Sequence, residues 1–306
     1  AQRKLKADVI TEQFERIAKL PISIEVEEVD QPLHWRTRIT ATTDSSGAIG
    51  FYSSRSHQVI PVKVCLISVP EIGIAELAAQ KLSADVRLEI ACSSEGERML
   101  AQGPKSGEGK FRQNSGPAVL HERVGDRLLQ VSQRSFWQGH KRAPEVLTQV
   151  VTSFAELKNG EHVLDLYGGV GLFTAACLDY VGISGSIHLV EGSKDATSDA
   201  KVNFAANSNV EITTGDVAKI ITRIAQADVV ILDPPREGAG KSVVQEMARL
   251  SPRAIVYVAC DPAALARDTA YLSEYGYAIE QIRAFDLFPM THHIESVALF
   301  TLDKVS

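Results

Sequence analysis

Apolar residues recur over the first twenty positions at Leu5, Val9, Ile10, Phe14, Ile17 and Leu20. Steps of three and four predict one amphipathic helix there, which Pro21 ends. Beyond Pro21 the period shortens. The runs SIEVEEV, WRTRITATT, AIGFYS, VIPVKVCLISV and DVRLEIACS alternate or are rich in β-branched residues, are separated by Gly, Ser, Asp or Pro, and predict strands. AQGPKSGEGKFRQNSGPAV (101–119) is dense in Gly, Ser and Pro and reads as an exposed loop of the same unit. After about Ser135 short apolar runs, HVLDLY, SIHLVEG, NVEITTGD, DVVILDPP and AIVYVAC, are each followed by a helical pattern or a turn signal. That alternation is the mark of a parallel sheet covered on both faces. YAIEQIRAFDLFP and HIESVALFTLD then follow each other across a short connection, as an antiparallel pair would. The expected fold is α/β, with a smaller β-rich α+β domain carrying an N-terminal helix over 1–135. A Rossmann-like domain ending in an antiparallel hairpin follows over 136–306.

Composition narrows the class without naming a chemistry. At 306 residues and 44% hydrophobic content the chain can bury sizeable cores. No apolar run reaches the roughly 18 residues of a membrane span, and the basic residues of the opening decapeptide precede no apolar segment of a leader. A cytoplasmic protein with no membrane partner is expected. Cysteines at 65, 92, 177 and 260 are scattered, which indicates neither a disulfide framework nor a self-contained zinc site. The net charge of −6 is unevenly spread: 18 Lys and Arg face 17 Asp and Glu through Ser135, and 14 face 21 thereafter. A basic patch on the front domain is compatible with that distribution.

Candidate chemistry collects at the carboxyl ends of the predicted parallel strands, where open α/β sheets hold ligands. VLDLYGGVGLF places Gly168, Gly169 and Gly171 between the first strand and its helix, so that backbone N–H groups face a ligand; Phe173 occupies the place of the third dinucleotide-binding glycine, which disfavours a nicotinamide. The next strand ends at Glu191, suited to a ribose diol, and the third at Asp216, suited to an adenine amino group. Each acid alone reads more readily as a solvated strand end; their succession points to a nucleoside. Asp233 ends the fourth strand ahead of two prolines that stiffen the loop, a motif that also reads as a plain turn. Cys260 ends the fifth, before an N-cap Asp261 and a helix-starting Pro262. A buried inert thiol is the ordinary reading of a cysteine, but this position faces the crevice, and the helix dipole is expected to favour the thiolate against the opposing charge of Asp261.

With these segments in order, the chain resembles the S-adenosylmethionine-dependent RNA 5-methyluridine methyltransferases, in particular an actinobacterial-like member lacking its N-terminal region. FWQGH is similar to the family's Phe-x-Gln-x-Asn, DLYGGVGLF to its methyl-donor loop, and DPPREG to its Asp-Pro-Pro-Arg-x-Gly. VACDPAALARD is similar to its nucleophile segment and FPMTHHIESV to its closing Phe-Pro-x-Thr-x-His-x-Glu. His140, Leu172 and Asp261 depart from the pattern. The resemblance implies a class I methyltransferase fold, S-adenosylmethionine as donor, Cys260 as nucleophile and Glu295 as proton acceptor. It also places Gln138, Tyr167, Glu191 and Asp233 at donor-binding positions. The expected reaction is methyl transfer to carbon 5 of a uridine in tRNA or rRNA, by a monomer. Alternatives are amino-group methylation of nucleic acid using Asp233-Pro-Pro, and a non-catalytic RNA-binding factor. His292 and His293 read as loop residues rather than bases.

HWRTRI and GFYSSRSHQVIPVKVC resemble the family's central RNA-holding domain, with Arg36, Arg38 and Arg55 as phosphate contacts and Trp35 and Tyr52 as stacking surfaces. The same residues would also suit a solvated sheet face. Cys65 falls where cluster-bearing relatives place the last iron–sulfur ligand, with no cysteine before it. The expectation is a piece of a longer protein in which Cys65 is an orphan ligand, the cluster itself not expected in this chain.

Overall fold

A computed structural model describes residues 1–106 and 111–302. The helix α1 (Gln2–Gln13) continues through a π-helical turn, Phe14–Ala18, to Lys19 in the left-handed region. Strands β1 (Val26–Glu28), β2 (Arg38–Thr43), β3 (Ile49–Tyr52) and β4 (Val59–Pro61) precede the short helix α2 (Ile74–Ala78). Then come β5 (Val86–Cys92), β6 (Arg98–Pro104), β7 (Arg112–Ser115), β8 (Val119–Val124) and β9 (Arg127–Ser132). Helix α3 (Ala143–Ala155) leads into the alternating half: β10 (His162–Leu166), α4 (Leu172–Val181), β11 (Ser186–Glu191), α5 (Lys194–Asn203), β12 (Val210–Thr214) and α6 (Val217–Ile220). It ends with β13 (Val229–Leu232), α7 (Gly240–Leu250), β14 (Ala254–Ala259), α8 (Pro262–Ser273), β15 (Tyr277–Asp286) and β16 (Glu295–Leu302).

The large sheet has the order β1-β15-β16-β14-β13-β10-β11-β12. Its pairings are parallel except around β16, which is inserted antiparallel between β14 and β15. All four residues of β13 are buried because successive side chains serve two cores: Val229 and Ile231 pack toward α3 and α4, while Val230 and Leu232 pack toward α7 and α8. Each of the five predicted parallel runs is a strand. β2 to β7 form a second, antiparallel sheet of order β4-β3-β2-β5-β6-β7 over its own apolar core, and β8 and β9 form a hairpin.

Four expectations need correction. The buried stripe of α1 is Lys6, Ile10 and Phe14, whereas Leu5 is 66% exposed and Val9 38%. This stripe and β1 do not join the front sheet: β1 pairs with β15, Val26 opposite Ala284, and the helix packs on α8. The pairing joins segments more than 250 residues apart, which local pattern cannot reveal. Within the 101–119 stretch, residues 101–104 and 112–115 belong to the β6–β7 pair rather than to a loop, and residues 107–110 fall outside the described ones. Gly103 and Gly116 mark close approach: a Cβ at Gly116 would sit 1.8 Å from the Arg98 carbonyl oxygen. Of VIPVKVCLISV, only Val59–Pro61 is strand.

Candidate active site

A crevice of about 1050 Å³ lies at the carboxyl ends of β10, β11, β13 and β14, closed on the other side by the front sheet. Cys260, Glu295, Gln138, Tyr167, Gly169, Glu191, Asp216 and Asp233 all line it. Cys65 does not.

The donor-side loop is shaped by backbone conformations that few side chains tolerate. Tyr167, Gly169 and Gly171 have φ of 59°, 57° and 101°. A Cβ at Gly171 would lie 2.2 Å from Phe204, whereas at Gly169 it would meet nothing within 4 Å, so the loop opens onto the crevice there. Asp165, fully buried, holds the turn from below by accepting from Thr174 N at 3.0 Å and Oγ1 at 2.6 Å; burial pushes its carboxyl up to about 7. Glu191 accepts from Gly169 N at 3.0 Å and Ser193 N at 2.6 Å, which locks its carboxylate at the rim with further lone pairs open to a ligand. Asp216 lies two residues past the end of β12, exposed, capping α6 through Ala218 N. Gln138 donates from Nε2 to Asp233 Oδ2 at 3.2 Å. Burial and the charge of Asp165 push Asp233 up to about 7.

Cys260 follows β14, and Asp261 caps α8 by accepting from Ala264 N at 2.8 Å. The register between β14 and β16 sets Ala259 opposite Ser296. Cys260 and Glu295 are the next residues on either side of this pair; both line the crevice, and Glu295 lies near enough for its charge to act on the Cys260 thiol. Glu295 is only 3% exposed, and burial followed by the charge of Asp233 holds it well above the usual carboxylate range. The expected thiolate is overturned: burial, then Glu295 and Asp233, push the Cys260 thiol up to about 11, and Arg236 opposes them only in part. The dipole of α8 loses because a half-buried sulfur beside two carboxyls is costly to ionise.

The front-domain expectations divide. Arg36 is exposed at the crevice and Arg55 is exposed on the surface. Arg38 is largely buried against Glu122 at 3.4 Å, so its charge is partly neutralised. Tyr52 is 43% exposed, but Trp35 is 1% exposed and is no stacking surface for a base. Its ring stacks on His140 at 5.6 Å between centroids and meets Phe288 edge-on at 5.9 Å. His140, a departure from the family pattern, is therefore buried beside the crevice rather than facing it; its Nδ1 accepts from Arg142 N. Leu172, another departure, is 7% exposed and packs in the core. Cys65 is half-buried, and among the described residues no group of three or more His, Cys, Asp or Glu side chains is arranged to hold a metal ion. The residues present do not make the ligand set of an iron–sulfur cluster.

Sequence reasoning assigned no role to Phe136, 68% exposed at the crevice, nor to Arg134, Arg236 and Glu89, which also line it. An exposed aromatic beside an arginine was the available signal for Phe136. Nothing local marks Glu89, which reaches the crevice because its strand face does.

The inserted antiparallel strand, the glycine turn and the acids at successive strand ends define a Rossmann-like class I methyltransferase. Comparison with known proteins specifies the family. Residues 122–303 match the tRNA (uracil-5-)-methyltransferase family. Proteins described as uncharacterized RNA methyltransferases are 37% identical in Streptomyces avermitilis and 33% in Corynebacterium efficiens; each match covers 98% of this chain, and 77% and 75% of those proteins. The chain belongs to the tRNA (uracil-5-)-methyltransferase family. Its fold is similar to that of the Pyrococcus abyssi tRNA (uracil-54, C5)-methyltransferase solved with S-adenosyl-L-homocysteine, with a TM-score of 0.75 and 23% identity over 98% of this chain and 83% of that one.

Proposed function

We infer that this RNA methyltransferase transfers the methyl group of S-adenosylmethionine to carbon 5 of a uridine in tRNA or rRNA, through a transient bond to Cys260. The observation that carries this reading is that Cys260, just after β14, and Glu295, at the start of the adjacent β16, line the same crevice as the donor-side loop.

The donor fits the residues present. Gly169 leaves room for a nucleoside, Glu191 supplies acceptors for a ribose diol, and Asp216 an acceptor for an adenine amino group. Gln138, Tyr167 and Asp233 form the rest of that wall. Three carboxyls, Asp165, Asp233 and Glu295, are held high by burial, and a cationic ligand is what such a cluster accommodates. When bound, the donor supplies an electrophilic methyl on a sulfonium, whose positive charge also favours ionisation of Cys260 and Glu295.

Carbon 5 of uracil is a poor nucleophile. Addition of the Cys260 thiolate, its proton released to water, to carbon 6 makes an enolate whose charge reaches carbon 5; that carbon then takes the methyl as the methyl–sulfonium bond breaks and a neutral thioether is left. Glu295 takes the remaining carbon-5 proton, the carbon–sulfur bond breaks, and the thiolate leaves as the ring double bond returns. Both groups line one crevice, where they can act on a single base. The target base must leave its stack to enter, and Phe136 offers an exposed aromatic face at the entrance. The front sheet is read as the RNA-contacting unit, with Arg36 and Arg134 toward phosphates. Among the described residues no helix is long and apolar enough to cross a membrane; a cytoplasmic monomer is proposed.

Labelled-methyl transfer to RNA from cells without the gene tests the reading. 5-Methyluridine should appear with the wild type and vanish with Cys260→Ala. Full turnover by that variant would instead favour amino-group methylation beside Asp233. Mapping the modified position assigns the RNA.

A further inference from the structure

The buried stripe of α1 is apolar at Ile10 and Phe14 but ends in a lysine. Lys6 is 5% exposed, and its ammonium uses all three donors: 2.7 Å to Asp286 Oδ1, 3.1 Å to the Phe288 carbonyl and 2.7 Å to the His293 carbonyl. Those carbonyls lie near the two ends of the 287–294 connection between β15 and β16. Glu295 begins β16 two residues after His293. Within the connection Thr291 N and Oγ1 also donate to the Phe288 carbonyl, and the Phe288 ring meets His293 edge-on at 5.9 Å. Burying an ammonium and a carboxylate is expensive, and an apolar side chain would continue the stripe at less cost. What an apolar residue could not do is hold two carbonyls at a fixed separation.

We propose that Lys6 is a positioning residue for the reaction: by tying both ends of the 287–294 connection to Asp286, it sets the placement of Glu295 against the base held by Cys260. The N-terminal helix is on this account part of the catalytic apparatus, though remote from it in sequence. The role assigned to Glu295 rests on the function proposed above; the tether itself does not.

The variants are Lys6→Met and the double variant Lys6→Met/Asp286→Asn, which leaves no unpaired buried charge if the single variant fails to fold. Hydrogen exchange of the 287–294 amides reads the tether directly and should quicken in the double variant while the amides of β10 and β13 stay protected. Because Glu295 acts after methyl transfer, kcat should fall about 10- to 100-fold with KM for RNA within about twofold. The denaturation-resistant enzyme–RNA adduct should accumulate as in Glu295→Gln, and Lys6→Arg should recover part of the rate. Unchanged exchange in 287–294, or an unchanged kcat in a folded double variant, overturns the proposal. So does a loss of rate that merely follows the loss of folded protein. If Glu295→Gln accumulates no adduct while exchange in the connection quickens, the reading of Glu295 fails and the tether stands.

Discussion

A thiol pushed up to about 11 should be sluggish in the ligand-free protein, and the expected reactivity follows from that value. At pH 8 a free thiol of pKa about 8.5 is roughly one quarter thiolate, whereas one at about 11 is ionised in about one molecule in a thousand. The deficit is about 250-fold. A more basic thiolate is also more nucleophilic, and a Brønsted coefficient of about 0.45 over 2.5 units returns about 13-fold. Cys260 should therefore attack a small neutral disulfide about 20-fold more slowly than free cysteine at pH 8, and more slowly still where burial limits access. Its rate should climb about tenfold per unit from pH 8 to 10, whereas free cysteine levels off. Glu295→Gln removes a neighbouring charge and should speed the reaction in part, because burial remains the larger cause. Mixed-disulfide formation followed by peptide mass spectrometry separates Cys260 from Cys65, Cys92 and Cys177. A Cys260 profile that levels off near pH 8.5, or a rate equal to free cysteine, refutes the reasoning.

Three further outcomes follow from the same geometry. Asp165, raised from 3.8 to about 7, binds a proton more tightly folded than unfolded, so it removes stability as pH rises from about 4 to 7. In urea titrations Asp165→Asn should gain on the wild type by up to about 4 kcal/mol across that window; a constant difference contradicts it. Gly171→Ala forces a left-handed alanine against Phe204 and should cost at least about 1–3 kcal/mol in thermal unfolding, with an unchanged midpoint as the contrary result. Glu191→Ala removes the charged acceptor proposed for the ribose and should weaken S-adenosylmethionine about 10- to 100-fold by calorimetry while RNA affinity holds; equal donor affinity would exclude that role.

Much of the catalytic half was legible because strands buried on both faces, such as Val229–Leu232, must be continuously apolar, and the turns after them need glycine or proline. Cys260 stood out by its place at such a strand end. What local pattern lacks is long-range pairing. The proton-acceptor role expected for Glu295 came from the resemblance and not from periodicity, and the insertion of β16 beside β14, which brings Glu295 into the crevice with Cys260, is visible only in the folded chain. The same limit put α1 and β1 with the wrong sheet, since Val26 finds Ala284 only in the folded chain. Trp35 looked like a surface aromatic because arginines flank it, yet its partners, His140 and Phe288, are remote in sequence. The thiolate expectation weighed a helix dipole that sequence reveals against burial and carboxyls that it does not.

The most direct test of the covalent mechanism uses RNA with 5-fluorouridine in place of uridine, because fluorine at carbon 5 cannot be removed as a proton. With S-adenosylmethionine, the wild type should form a denaturation-resistant complex whose digest shows a methylated fluoropyrimidine bonded to the sulfur of Cys260. The account is contradicted if no such complex forms with an RNA that the enzyme methylates, or if the bond maps elsewhere and persists in Cys260→Ala.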